Sequence, residues 1–121
     1  MKYNSTLDLI GNTPLLLLAN TSKKYNCNIY VKLEKYNLTQ SIKDRAVKEM
    51  ILSAIKEKKI NKDTTIIEAT SGNTGIALAA IGAYLNHKVH IFMPDWVSKE
   101  RIDIMKLYGA DVTLVSKSDG G

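Results

Sequence analysis

The chain is poor in residues that lock or interrupt a backbone. Its 121 residues hold one cysteine, two prolines, one tryptophan and one phenylalanine. With Cys27 alone, neither an intrachain disulfide nor a cysteine metal cluster can form, which fits a reducing compartment. A long apolar run is missing too. The stretch "LLLL" (15–18) is far too short to span a bilayer, which takes about 20 apolar residues. The opening "MKYNSTLDLIGN" lacks the apolar core of a signal peptide. These absences point to a cytoplasmic protein with no membrane partner. Acids are outnumbered: 17 Lys and Arg against 12 Asp and Glu give +5 and a pI near 9.3. The lysines are dispersed, however. The densest cluster, "KEKKINK" (56–62), ends a predicted helix, where cations suit the terminal carbonyls. Without a basic-aromatic pattern, nucleic acid is not the expected partner.

What is present is ordinary globular composition, 45% hydrophobic and 24% charged. The length suits one domain rather than two. Gly11, Asn12 and Pro14 mark a turn, and Leu15 to Leu18 read as a short buried strand. "NIYVKLE" (28–34) reads as a second strand. Residues 41 to about 59 read as a helix, with Ala46, Val47, Met50, Ile51, Ala54 and Ile55 on one apolar stripe. "TTIIEA" (64–69) is a β-branched strand. After the turn "TSGNTG", "IALAAIGAYLN" is a helix with almost no polar face, hence buried on most sides. "KVHIFM" (88–93) is a strand. Ser98 is placed to cap a helix that runs to Tyr108, with Gly109 at its C′ position. "DVTLV" (111–115) is the next strand, and "SKSDGG" reads as a loop. Strand–helix alternation over 64–115 predicts an α/β fold, a parallel sheet with helices packed on both faces in three layers.

Two places carry chemistry. "TSGNTG" joins a strand end to a helix start, where ligands bind in open α/β sheets. Its glycines allow a sharp turn. Thr70, Ser71, Asn73 and Thr74 offer short donors, and the free N–H groups of the helix start suit a carboxylate or phosphate. The spacing matches neither a dinucleotide fingerprint nor a Walker loop. A loop that merely starts a helix would look the same. The second place is Lys43, at the mouth of a helix, where the dipole favours anions rather than cations. Most such lysines are solvated side chains; one whose pKa falls becomes a nucleophile. His87 and His90 project to opposite faces of a strand and make no metal pair, so no metal site is expected. Trp96 and Tyr108 read as packing residues, and Cys27 as inert and buried.

Four segments taken together, "IGNTPL" (10–15), "VKLEKYNLTQSIKDR" (31–45), "EATSGNTGIALA" (68–79) and "MPDWVSKERIDIMKLYGADVTLV" (93–115), resemble the cysteine synthase family, fold type II pyridoxal-phosphate enzymes related to cystathionine β-synthase. The resemblance covers nearly the whole chain. It implies that Lys43 is the lysine that holds pyridoxal phosphate as a Schiff base and later moves protons. It implies that Asn73 lies beside the cofactor's ring hydroxyl, and that Thr70, Ser71, Gly72, Asn73 and Thr74 form the loop gripping the substrate α-carboxylate. By the same resemblance, residues 1–43 belong to a larger domain and 44–121 to most of a smaller, mobile α/β domain, here truncated. The implied reaction is β-replacement on O-acetylserine with sulfide to give cysteine. Cysteine β-lyase, lanthionine-forming or cystathionine-forming activity would use the same residues, and a non-catalytic truncated domain acting in binding or dimerisation is the alternative of another class. A homo-oligomer, and serine acetyltransferase as a partner, are implied as well. Two departures stand out. Leu38, Thr39 and Gln40 occupy positions where the family usually has a proline and glycines. The glycine-rich phosphate cup of the longer family members has no counterpart in these residues, so the chain alone is expected to be inactive.

Overall fold

The computed structural model describes residues 2–119. Two sheets organise it. β1 (Leu15–Leu17) pairs antiparallel with β2 (Tyr30–Lys32), Leu16 lying opposite Val31. The second sheet is parallel, in the order β3 (Thr65–Ala69), β4 (Lys88–Pro94), β5 (Asp111–Val115). Ile67 is in register with His90, and Phe92 with Thr113. The helices are α1 (Ala19–Tyr25), α2 (Lys43–Lys56), α3 (Asn73–Tyr84) and α4 (Lys99–Leu107).

The α/β class and the parallel sheet follow from the alternation of β-branched runs with helical stripes. α3 is the centre. Residues Gly75 to Gly82 are all buried, because α2 and α4 flank it while β3 and β4 lie beneath it. Val89, Ile91 and Met93 point into this core, and Met105 reaches it from α4 at 0% exposure. The helical cover of the described residues lies on this face of the sheet. The opposite face carries half-buried His90 and Phe92, stacked at 4.5 Å, and Ile67, 63% exposed.

Several local expectations are corrected. Leu15, Leu16 and Leu17 are exposed, 62, 49 and 41%, rather than buried; among the described residues the β1–β2 ribbon has no third layer to cover it. β2 is shorter than "NIYVKLE", since Leu33 leads into a 3-10 turn at Glu34–Tyr36. α2 begins at Lys43 rather than 41 and stops at Lys56, with Lys58 beyond it at φ +57°. On its stripe only Val47 and Ile51 are fully buried, and Met50 is 54% exposed. α1 was not foreseen, for its polar "NTSKK" carries no apolar period. Trp96 is exposed rather than packed, and Cys27 is exposed rather than buried. Tyr108 is about a third exposed. Ser98 takes the N-cap position, but its side chain makes no capping bond. Gly109 does close α4, at φ +85°. "SKSDGG" contains a 3-10 turn, Lys117–Asp119; Gly120 and Gly121 lie outside the described residues. No helix among the described residues is long and apolar enough to cross a membrane.

Gly82 is required by close approach rather than by backbone conformation. A methyl group built there would overlap Val89 Cγ2, where α3 crosses β4. Overpacking of this kind costs about 1–3 kcal/mol. Gly82→Ala should therefore lower unfolding stability by that amount in urea titration, and Val89→Ala should cost less when added to Gly82→Ala than it costs alone. Additive losses would show that the contact does not limit packing.

Candidate active site

The carboxyl ends of β3, β4 and β5 open onto a cavity of about 430 Å³. Ala69, Thr70 and Ser71 form one wall, and Phe92, Met93, Pro94 and Val115 form most of the rest. It lies where parallel sheets place their ligands. The loop continues through Gly72, the N-cap of α3, to Asn73 and Thr74 in the helix's first turn. Gly72 supplies no capping side chain, so the first N–H groups of α3 carry no side-chain partner. The Ser71, Asn73 and Thr74 side chains make no hydrogen bond among the described residues, whereas Thr70 Oγ1 accepts the Gly72 N–H at 3.3 Å. Gly75 explains the second glycine of "TSGNTG". A Cβ there would lie 2.8 Å from both Met105 Cε and Thr70 Cγ2, so α4 and the loop close tightly on the start of α3.

Lys43 is the first residue of α2 and is exposed. Its ammonium has no hydrogen-bond or ion-pair partner among the described residues, and it does not line the cavity. Its backbone is held firmly: Lys43 N–H donates to Ser41 Oγ at 3.1 Å. The next residue, Asp44, is fully buried at 0% exposure. Its carboxylate accepts the Thr39 N–H at 2.6 Å and the Thr39 hydroxyl. This pins the Leu38–Gln40 segment, where Gln40 takes a left-handed φ of +62°.

Arg45, one residue further, ties α2 to the N-terminal ribbon. Its Nε lies 2.7 Å from Glu34 Oε2, and Nη2 donates to Glu34 Oε1 at 3.0 Å and to Thr13 Oγ1 at 2.9 Å. Thr13 Oγ1 donates to Glu34 at 2.7 Å, and Asn37 Nδ2 at 2.8 Å. Asn37 Oδ1 accepts the Gly11 N–H at 2.8 Å. Lys32 Nζ donates to the Thr13 carbonyl. Sequence reasoning read Asp44 and Arg45 as part of a motif around Lys43 but assigned no task to them, nor to Thr13, Glu34 and Asn37. Their signal is the recurrence of short polar residues in "GNT" and "EKYN", which a linear reading cannot connect. His87 and His90 have separate protein partners: Nδ1 of His87 lies 3.4 Å from the Thr64 carbonyl, and Nε2 of His90 lies 2.8 Å from Thr113 Oγ1. No group of three His, Cys, Asp or Glu able to hold a metal occurs among the described residues.

A family model described as "Pyridoxal-phosphate dependent enzyme" matches residues 6–121. This chain belongs to that family. Among curated relatives, it is 50% identical to cysteine synthase B of Campylobacter jejuni over 118 residues, covering 98% of this chain and 38% of that protein. Among solved structures, a hydrogen sulfide-producing enzyme of Fusobacterium nucleatum is 53% identical with a TM-score of 0.88, covering 97% of this chain and 39% of that one. An O-acetyl serine sulfhydrylase isoform of Entamoeba histolytica is 42% identical at TM-score 0.89, covering 98% and 36%. The chain thus spans about two fifths of the length of these three proteins. The likeness extends to the fold of this cysteine synthase-like family, an α/β unit with a parallel sheet.

Donor chemistry fits the family's cofactor. The primary amine of Lys43, the amide of Asn73 and the hydroxyls of Ser71 and Thr74, all without partners among the described residues, are groups that a cofactor or an amino acid can engage.

The Glu34 carboxyl is pulled down to about 2, chiefly by its hydrogen bond from Arg45, then by that from Thr13 and, against some desolvation, that from Asn37. A carboxylate whose folded pKa lies below its unfolded value stabilises the fold above the unfolded pKa, near 4.5, and that contribution drains as pH falls towards 2. Between pH 4.5 and 2, stability should fall more steeply in the wild type than in Glu34→Gln. Parallel pH–stability curves for the two proteins over that window would contradict the assignment.

Proposed function

We propose that residues 1–121 supply the reactive lysine and the substrate-carboxylate loop of a pyridoxal-phosphate enzyme that performs β-replacement, converting O-acetylserine and sulfide to cysteine. The observation that carries this reading is Lys43: a lysine at a helix start without a partner among the described residues, its backbone fixed by Ser41 and by the Asp44 and Arg45 anchors. The names of curated relatives at 40–50% identity, cysteine synthases throughout, support the same choice.

Lys43 Nζ would hold the cofactor and, once released, carry a proton to or from the substrate α-carbon. Asn73 would donate its side-chain amide to the cofactor ring oxygen. Thr70, Ser71, Gly72, Asn73 and Thr74 would bind the α-carboxylate through hydroxyls and the N-terminal N–H groups of α3, whose dipole favours an anion. When bound, pyridoxal phosphate supplies the electron sink that lets the amino acid lose its β-substituent. The protein's contribution is orientation within fractions of an ångström. In this reading residues 1–43 pack with a larger domain and 44–121 form most of a smaller mobile one. The active assembly is a cytoplasmic homo-oligomer, with serine acetyltransferase as a partner. Residues 1–121 on their own should not turn over substrate, because they span about two fifths of the relatives' length.

A second reading has one observation in its favour. The Fusobacterium structure, 53% identical to this chain, is described as hydrogen sulfide-producing. Release of sulfide from cysteine, with or without lanthionine formation, would use the same lysine and loop. Offering the full-length protein cysteine alone, or O-acetylserine with sulfide, separates the two by which one is consumed faster. A non-catalytic binding or dimerising domain would show no cofactor absorbance at all.

Lys43→Ala in the full-length protein should abolish the absorbance of covalently held cofactor. Persistence of that band, with the reduced adduct mapping to another lysine, would refute the assignment. Asn73→Ala should reduce turnover by the equivalent of about 1–3 kcal/mol, the worth of a desolvated hydrogen bond. Stability should hardly change, because the Asn73 side chain is exposed. A drop in melting temperature comparable to that of a core truncation such as Ile81→Ala would mean that the residue is structural.

A further inference from the structure

Arg101 has no ordinary reason to be where it is. It lies in the first turn of α4, where the helix dipole disfavours a cation. It is exposed, and no acidic side chain pairs with it among the described residues. Instead it crosses to the carboxylate loop. Nη1 donates to the Ser71 carbonyl at 3.0 Å. The guanidinium also covers Gly72: a Cβ built there would sit 3.5 Å from Nη1 and 3.6 Å from Cζ.

The bond falls on one particular peptide group. The Ser71 carbonyl and the Gly72 N–H belong to the same planar unit. Arg101 holds its oxygen, and Thr70 Oγ1 holds its N–H at 3.3 Å. Both ends of the plane are therefore fixed. No other partner of the Ser71 carbonyl occurs among the described residues, so without Arg101 that plane is restrained at one end only. Rotation of this unit redirects the chain entering α3, and with it the Asn73 and Thr74 donors that follow.

We propose that Arg101 is a positioning residue for amino-acid binding, setting the Ser71–Gly72 peptide plane so that the loop meets a substrate carboxylate; this rests on the carboxylate-loop reading above. Arg101 acts through the loop and need not touch the substrate. Its positive charge, close to the α3 N-terminus, adds to the attraction for an anion there. Because it stands on α4, the register of α4 against α3, packed through Met105 and Gly75, also sets how well the loop is formed.

The test uses the full-length protein loaded with pyridoxal phosphate and titrated with O-acetylserine or cysteine, following the change in cofactor absorbance and then turnover. Arg101→Gln should raise the half-saturating amino-acid concentration and its KM by about tenfold, the scale of one charged hydrogen bond. Cofactor content, melting temperature and the KM for sulfide should stay as in the wild type, and kcat at saturation within about threefold. Arg101→Lys keeps a donor and the charge but loses the planar fork, and should show a rise of about threefold. Lys also carries the test if the Gln variant does not fold. A half-saturation unchanged in both variants, or a loss confined to kcat, overturns the role of Arg101 while leaving the functional reading standing. A wild-type protein whose absorbance ignores both amino acids overturns the functional reading, and this proposal with it.

Discussion

The Glu34 carboxylate is the constraint on which the placement of Lys43 against the N-terminal ribbon rests. It receives Arg45, Thr13 and Asn37 at 2.7 to 3.0 Å, and through them it binds three separate stretches: the turn at 11–13, the end of the β1–β2 ribbon and the start of α2. Charged partners make such bonds stronger than neutral ones. The pair is only partly exposed, Arg45 at 37% and Glu34 at 17% of their side chains, so solvent weakens it less than a fully exposed bridge. The fork geometry adds specificity, since two nitrogens of one planar group meet two oxygens of one carboxylate. Lys43 is two residues from that anchor. Its own side chain has no partner among the described residues, but the backbone that carries it is tied by Ser41 and by the Asp44 and Arg45 bonds that follow.

A division of labour runs through "SIKDR". Ser41 fixes the Lys43 N–H, Asp44 fixes the segment before it, and Arg45 fixes the helix to the ribbon. The Lys43 side chain is left without a partner among the described residues. "TSGNTG" repeats the arrangement. Thr70 and Gly75 serve structure, one by accepting an N–H and the other by giving space to Met105 and Thr70. The side chains of Ser71, Asn73 and Thr74 have no partner among the described residues. Among the residues the sequence reading picked for cofactor or substrate, the side chains of Lys43, Ser71, Asn73 and Thr74 have no partner among the described residues, while Thr70 accepts the Gly72 N–H.

The sequence made the parallel sheet, the buried α3 and the two loops legible because each has a local signal: a β-branched run, an apolar period, or a glycine-bearing turn between them. Gly109 was readable for the same reason. What was not legible depends on what lies across space. A run of leucines at 15–17 reads as core until its neighbours are known, and here it faces outward. Cys27 and Trp96 carry only an average tendency to be buried, which the fold does not follow. The Glu34–Arg45 pair spans 11 residues and Arg101–Ser71 spans 30; no periodicity announces either. Helix limits at Lys43 and Lys56 were set by hydrogen bonds of the flanking turns rather than by the apolar stripe.

The strand order β3–β4–β5 has a kinetic consequence. Among the described residues only β4 is paired on both sides, while β3 is laddered to β4 alone. Amides of β4 should exchange with solvent only when the sheet as a whole opens, whereas those of β3 that point away from β4 need a far smaller fluctuation. The carboxylate loop is the direct continuation of β3. It therefore hangs from a margin of the sheet, and local breathing of that margin can let the loop loosen and re-form while the core around α3 and β4 stays closed.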